Sequence, residues 1–151
     1  MADTVPKHVR SRMMSSIRGS NTKPEMTLRR AMHARGFRYR LHDRRLPGRP
    51  DLVFPRYGVV LFVHGCFWHR HEGCKYATTP ASNVEFWQEK FENNVARDKS
   101  AIGNLQEAGW RVGVVWECLL RDRNREDALA DIGKFLTERT EGYLEWPMLS
   151  P

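Results

Sequence analysis

Val59-Val60-Leu61-Phe62-Val63-His64-Gly65-Cys66-Phe67-Trp68-His69-Arg70-His71-Glu72-Gly73-Cys74 is the stretch on which the reading of this chain turns. Its first part is a short apolar run rich in β-branched residues, which predicts a buried strand. The strand ends at His64-Gly65, and Cys66, His69, His71 and Cys74 follow within a few positions. Two large aromatics, Phe67 and Trp68, sit inside this metal-ligand-rich segment. Just upstream, Pro47-Gly48-Arg49-Pro50 leads into Asp51-Leu52-Val53-Phe54, a second strand with an acid at its start. Pro55-Arg56-Tyr57-Gly58 suits a turn, so the two strands form an antiparallel hairpin. A carboxylate, imidazoles, thiols and aromatics thus converge at one end of a hairpin, and the chemistry is expected there.

The chain around this hairpin has 151 residues, enough for one domain with a real core. Its net charge is +7, with a pI near 9.7, which calls for an anionic partner. Nucleic acid comes first and a membrane surface second. No apolar run approaches the roughly 20 residues that cross a bilayer. The first ten residues contain no apolar h-region, so no secretory signal is expected. Three cysteines in such a chain suggest a reducing compartment, with thiols or a metal site rather than disulfides.

Outward from the hairpin, residues 1–23 are polar and basic, with Met13, Met14 and Ile17 on one side of a helix over 8–18. They form either a loosely attached helix or an arm that lies along DNA. Thr22-Lys23-Pro24-Glu25 is a capping box opening a helix that stops at Gly36. That gives Glu25 a structural role. Phe37 to Leu41 alternates as a half-buried strand. Ser82-Asn83-Val84-Glu85 reads as a second capping box, Asn93-Asn94 as a break, and 95–108 as a further helix. Trp110 to Trp116 is a strand, and Asn124 caps a last helix. Residues 143–151 receive no assignment. The order implies an α/β sandwich around a small mixed sheet.

Cys66, His71 and Cys74 follow a C-x4-H-x2-C spacing, and Cys118 after the later strand completes a four-ligand zinc set. The plainer alternative is that one or two of these are buried thiols. Asp51 suits a hard cation such as Mg2+ at a phosphate, and His64 and His69 suit proton transfer beside it. Each of these residues alone is more often structural. Phe67, Trp68 and Trp87 suit stacking on, or wedging between, bases.

Taken together, Pro47-Gly48-Arg49-Pro50-Asp51, His64-Gly65-Cys66-Phe67-Trp68-His69, Phe86-Trp87, Asn94-Val95, Arg97-Asp98, Gly109-Trp110-Arg111-Val112 and Trp116-Glu117-Cys118 resemble the very-short-patch repair endonucleases, Vsr. The Arg10 to Ile17 pattern fits as well. The resemblance implies a restriction-endonuclease-like fold with a zinc-stabilised loop. It implies an endonuclease that nicks duplex DNA 5′ of the T of a T:G mismatch left by deamination of 5-methylcytosine. Residue by residue, Asp51 and the backbone oxygen of Val63 would bind Mg2+, and His69 would be the base. His64 and Glu25 would assist it. Cys66, His71, Cys74 and Cys118 would hold a structural Zn2+. Phe67, Trp68 and Trp87 would wedge in from the major groove, and Met14 and Ile17 would press from the minor groove. Asp98 would play a supporting part. The expected organisation is a DNA-binding arm over 1–20, an endonuclease domain over 21–140 and a tail over 141–151. A cytoplasmic monomer acting at the nucleoid is expected, with a MutL-type repair protein as partner. The alternatives are a non-catalytic zinc-stabilised DNA-binding module and a restriction-type double-strand nuclease.

Overall fold

The computed structural model describes residues 21–147. Met14, Ile17 and the rest of the expected arm lie outside the described residues. Helix α1 (Lys23–Ala34) leads to β1 (Arg40–Leu41), β2 (Leu52–Phe54) and β3 (Val59–His64). Helix α2 (Val84–Glu107) crosses to β4 (Arg111–Trp116), and α3 (Glu117–Arg121), α4 (Glu126–Thr137) and β5 (Tyr143–Trp146) follow. The five strands lie in chain order across one sheet. β1, β2 and β3 pair antiparallel, whereas β3–β4 and β4–β5 pair parallel. The result is a small mixed sheet flanked by helices, as the sequence order implies. No helix among the described residues is long and apolar enough to cross a membrane.

The two-residue period of the strands sorts their side chains onto two faces. Leu52, Phe54, Val59, Leu61 and Val115 meet α1 and α4 through Leu28, Met32, Leu129, Ile132 and Phe135. Val53, Val60, Phe62, Val112 and Val114 face the other way, with Cys66, Leu105 and Trp116. With both faces covered, β3 and β4 read as almost continuous apolar runs. Gly113 sits where the layers close most tightly. A Cβ there would meet Leu61 at 2.5 Å and Trp146 at 2.9 Å.

The hairpin forms as expected, with Leu52 opposite Leu61 and Phe54 opposite Val59. Thr22 caps α1 by accepting from the Glu25 N–H at 3.4 Å. Other expectations need correction. The strand over 37–41 pairs only at Arg40 and Leu41. The expected break at Asn93-Asn94 is absent, and α2 is one helix of 24 residues. Asn94 lies on its inward stripe with Phe91, Ala101 and Leu105, so it serves packing rather than a turn. Asn83 precedes α2 in a left-handed conformation and no side chain caps the helix, so the box at Ser82 does not form. Arg125, not Asn124, precedes α4. Cys118 lies in the short helix α3, and part of the unassigned C-terminal stretch is the edge strand β5.

Candidate functional site

A cleft of about 1050 Å³ opens where α1, the C-terminal end of β3, the loop after it and α2 meet. Asp51 enters from the start of β2. Its Oδ2 accepts the Val63 N–H at 2.7 Å. In an extended strand a residue's N–H and C=O leave on the same side, so the Val63 carbonyl also faces this edge. Burial pushes the Asp51 carboxyl up to about 7, against the pull of the Val63 N–H. Glu25, close by, adds to the rise.

Glu25 is 2% exposed. Its carboxylate accepts from the Asn21 N–H at 3.3 Å and from Arg29 at 3.3 Å, and Oε2 lies 2.8 Å from His42 Nε2. The cap and the site therefore use the same residue: its backbone N–H donates to Thr22 Oγ1, while its carboxylate, which takes the Asn21 N–H instead of closing the expected box on the Thr22 N–H, lines the cleft.

The second group stands opposite. His64 and His69 stack with ring centroids 4.0 Å apart and planes 6° from parallel. Burial, and then the neighbouring His69, hold the His64 imidazole well below its ordinary pKa, so it stays neutral. His69 Nδ1 lies 2.7 Å from Asp98 Oδ2. A carboxylate accepts, so Nδ1 carries the hydrogen, and in the neutral ring Nε2 is the nitrogen with the free lone pair. Asp98 stands one turn beyond Asn94 on α2. The Asn94 amide donates to the Trp68 carbonyl at 3.1 Å. One helix stripe therefore holds the loop that follows β3.

In that loop, Cys66, His71 and Cys74 converge with Cys118, and one ligand atom from each lies within 4.8 Å of all the others. His71 Nδ1 is 3.7 Å from Cys66 Sγ and 3.5 Å from Cys118 Sγ. All three cysteines are free thiols. Burial raises the Cys66 and Cys118 thiols and lowers the His71 imidazole, leaving three soft donors and a neutral ring packed around a common point. A tetrahedral zinc with bonds of about 2.0–2.3 Å fits that donor set. His71 stacks on Trp116 at 4.2 Å, and Trp116 meets His64 edge-on at 5.3 Å. Trp116 thus links the quartet to the histidine pair.

Phe67, Trp68 and Trp87 come together as half-buried rings. Phe67 lies 5.0 Å from Trp68, and Trp87 lies 5.9 Å from Trp68. Phe91 backs them, with Arg70 over its face at 4.0 Å. Phe86, beside Trp87, is 58% exposed and extends the surface.

Asp51, Glu25, Val63, His64 and His69 thus share one cleft, and the four zinc candidates share one point. His42 was not legible as a site residue, because an isolated His in a loop carries no spacing signal. Asp98 had only the supporting part implied by the Arg97-Asp98 match, and its contact with His69 was not legible.

Comparison with known proteins identifies the family of the chain. The family model described as DNA mismatch endonuclease Vsr matches residues 2–75. The chain is 46% identical over 146 residues to the DNA mismatch endonuclease Vsr of Escherichia coli strain K12, covering 97% of this chain and 88% of that protein. It is 47% identical over 122 residues to the type II nicking enzyme V.XorIIP of Xanthomonas oryzae, covering 81% of this chain and 89% of that one. It is 35% identical over 141 residues to the nicking enzyme V.HpaIIP of Haemophilus parainfluenzae, covering 92% and 98%. With its relatives matched over nearly their whole length, this chain belongs to the Vsr family of DNA mismatch endonucleases.

Proposed function

We propose that this endonuclease is a Mg2+-dependent nickase that cuts duplex DNA 5′ of the T of a T:G mismatch, on a restriction-endonuclease-like fold. The supporting observation is that the Asp51–Glu25 group, the His64–His69–Asp98 group and the rings of Phe67 and Trp68 line one cleft.

Asp51 and the Val63 carbonyl would hold Mg2+. When bound, this ion neutralises the scissile phosphate and lowers the pKa of nearby water. His69 Nε2 takes a proton from the attacking water as the water oxygen bonds to phosphorus; the P–O bond to the departing sugar oxygen breaks, and that oxygen takes up a proton from solvent. Asp98 orients the ring and stabilises the imidazolium that forms. Glu25 lines the Asp51 end of the cleft and would assist there. His64 packs against the face of His69 and stays neutral, so it adds no repelling charge as His69 gains its proton. Cys66, His71, Cys74 and Cys118 would hold Zn2+, which supplies a cross-link that orders a loop with few apolar residues of its own. Phe67, Trp68 and Trp87 wedge beside the mismatch. A T:G wobble unstacks more readily than a matched pair, so deformability adds to base contact as a source of selectivity. The basic charge supplies affinity for the phosphate backbone. One active site suffices for a nick, so the protein acts as a monomer, and a MutL-type repair protein is its partner.

The test is strand-specific cutting of a duplex with one T:G mismatch in a C-T-(A/T)-G-G context, compared with its T:A twin, in Mg2+ or EDTA. A Mg2+-dependent nick 5′ of the T, absent from the twin, is expected. Equal cutting of both duplexes would replace this reading with a restriction-type nuclease.

A further inference from the structure

His42 takes no part in the hydrolytic reading above, yet the fold ties it to the metal end of the cleft twice. Its backbone N–H donates to the Asp51 carbonyl oxygen at 3.2 Å. Its ring nitrogen Nε2 lies 2.8 Å from Glu25 Oε2. One ligand atom each from Glu25, His42 and Asp51 lies within 4.8 Å of the other two. All three residues line the cleft, so an ion reaches them from solvent. Arg29 and the Asn21 N–H already partner the Glu25 carboxylate, so the imidazole is not needed to satisfy it.

The chemistry of this donor set differs from that of an all-oxygen site. Mg2+ favours carboxylates, carbonyls and its own waters in a tight octahedron. An imidazole nitrogen beside two carboxylates favours first-row transition ions instead. Six-coordinate Mn2+ accepts both donor types, and neighbouring ligand atoms around it lie about 3 Å apart, which falls inside the spread of these three residues.

We propose that His42, Glu25 and Asp51 form a mixed nitrogen–oxygen site for a divalent first-row transition ion, with His42 Nε2 as a direct ligand. Such an ion, Mn2+ as the probe, binds there more tightly than Mg2+. The inference rests on the reading of Asp51 as a metal ligand and adds the ion class that the pocket selects.

The experiment uses the full chain carrying its zinc, so that the cysteine quartet does not compete for the probe. Mn2+ is titrated and followed by electron spin resonance, with Mg2+ as competitor, for wild type, His42→Gln and Asp51→Asn. One Mn2+ site is expected in wild type. His42→Gln should weaken Mn2+ at least about tenfold while changing Mg2+ competition by less than about threefold. Asp51→Asn should lose both ions. Unchanged Mn2+ affinity in His42→Gln, or an equal fall for both ions, overturns the proposal and leaves the Asp51 reading standing. Mn2+ binding retained in Asp51→Asn overturns the Asp51 reading as well. Pulsed measurement of Mn2+ bound to wild type gives a result independent of how any variant folds. A directly bonded 14N coupling is expected, and its absence overturns the assignment of His42.

Discussion

His69 Nδ1 stands 2.7 Å from Asp98 Oδ2, across the boundary between the loop after β3 and the crossover helix α2. This contact determines which nitrogen of His69 is left to accept a proton. It is made by residues 29 positions apart, and the Asn94 amide on the Trp68 carbonyl holds the same loop one turn away.

Asp98→Asn should therefore cut the nicking rate more than it changes binding. The amide donates where the carboxylate accepts, which turns the His69 proton to the wrong nitrogen. A loss of about 10²–10⁴-fold in single-turnover rate is expected, with mismatch affinity within about threefold of wild type. His69→Ala should fall in the same range, and the double variant should be little worse than either single one. Full additivity of the two losses would dissociate Asp98 from His69.

Burial makes ionisation of Asp51 costly, a cost that a bound cation would relieve. In the unfolded chain its carboxyl ionises near 3.8, and in the folded, Mg2+-free protein burial moves it to about 7. Between those values the folded state keeps a proton that the unfolded state has lost. This contribution to stability is therefore full below about pH 4 and is lost as pH rises toward 7. Asp51→Asn removes it. Without added divalent ion the variant should gain on wild type from pH 5 to pH 8, by about 3 kcal/mol at most, in urea unfolding. The same variant should not cut. A stability difference that does not change between the two pH values would show that the carboxyl is not desolvated.

Cys118 is remote in sequence from the other three members of the thiol–imidazole quartet. Cys118→Ala should remove one zinc per chain, measured by atomic absorption. It should lower the unfolding midpoint and increase protease cutting between residues 65 and 80, because the metal would supply the order of that loop. Full zinc retention would exclude Cys118 from the site.

Trp68 and Trp87 should act on discrimination rather than on chemistry. Truncating either to Ala is expected to weaken binding to T:G duplex by about 1–3 kcal/mol, the range for one stacked base. Binding to the T:A twin, which depends on phosphate contacts, should change less. Equal losses on both duplexes in gel-shift titrations would make these rings part of the core instead of a wedge.

Much of this architecture is local in origin and was legible in the chain. The hairpin of β2 and β3 follows from apolar runs around Pro55-Arg56-Tyr57-Gly58, and the start of α1 follows from Thr22 and Glu25. Three of the four quartet residues lie within nine positions, close enough for spacing alone to group them. What spacing cannot express was decided by packing. Asn94 looks like a helix breaker because its side chain competes for backbone hydrogen bonds, but here the amide turns inward to the Trp68 carbonyl and α2 runs on. The segment Tyr143-Leu144-Glu145-Trp146 is too short to declare itself. It becomes β5 because β4 offers a free edge, with Val115 opposite Trp146. His42 reaches Glu25, and Asp98 reaches His69, only after the sheet and α2 have closed around the cleft. Residue types and their spacing carry short-range chemistry, whereas contacts between distant residues come from burying the two faces of one sheet, which no single segment encodes.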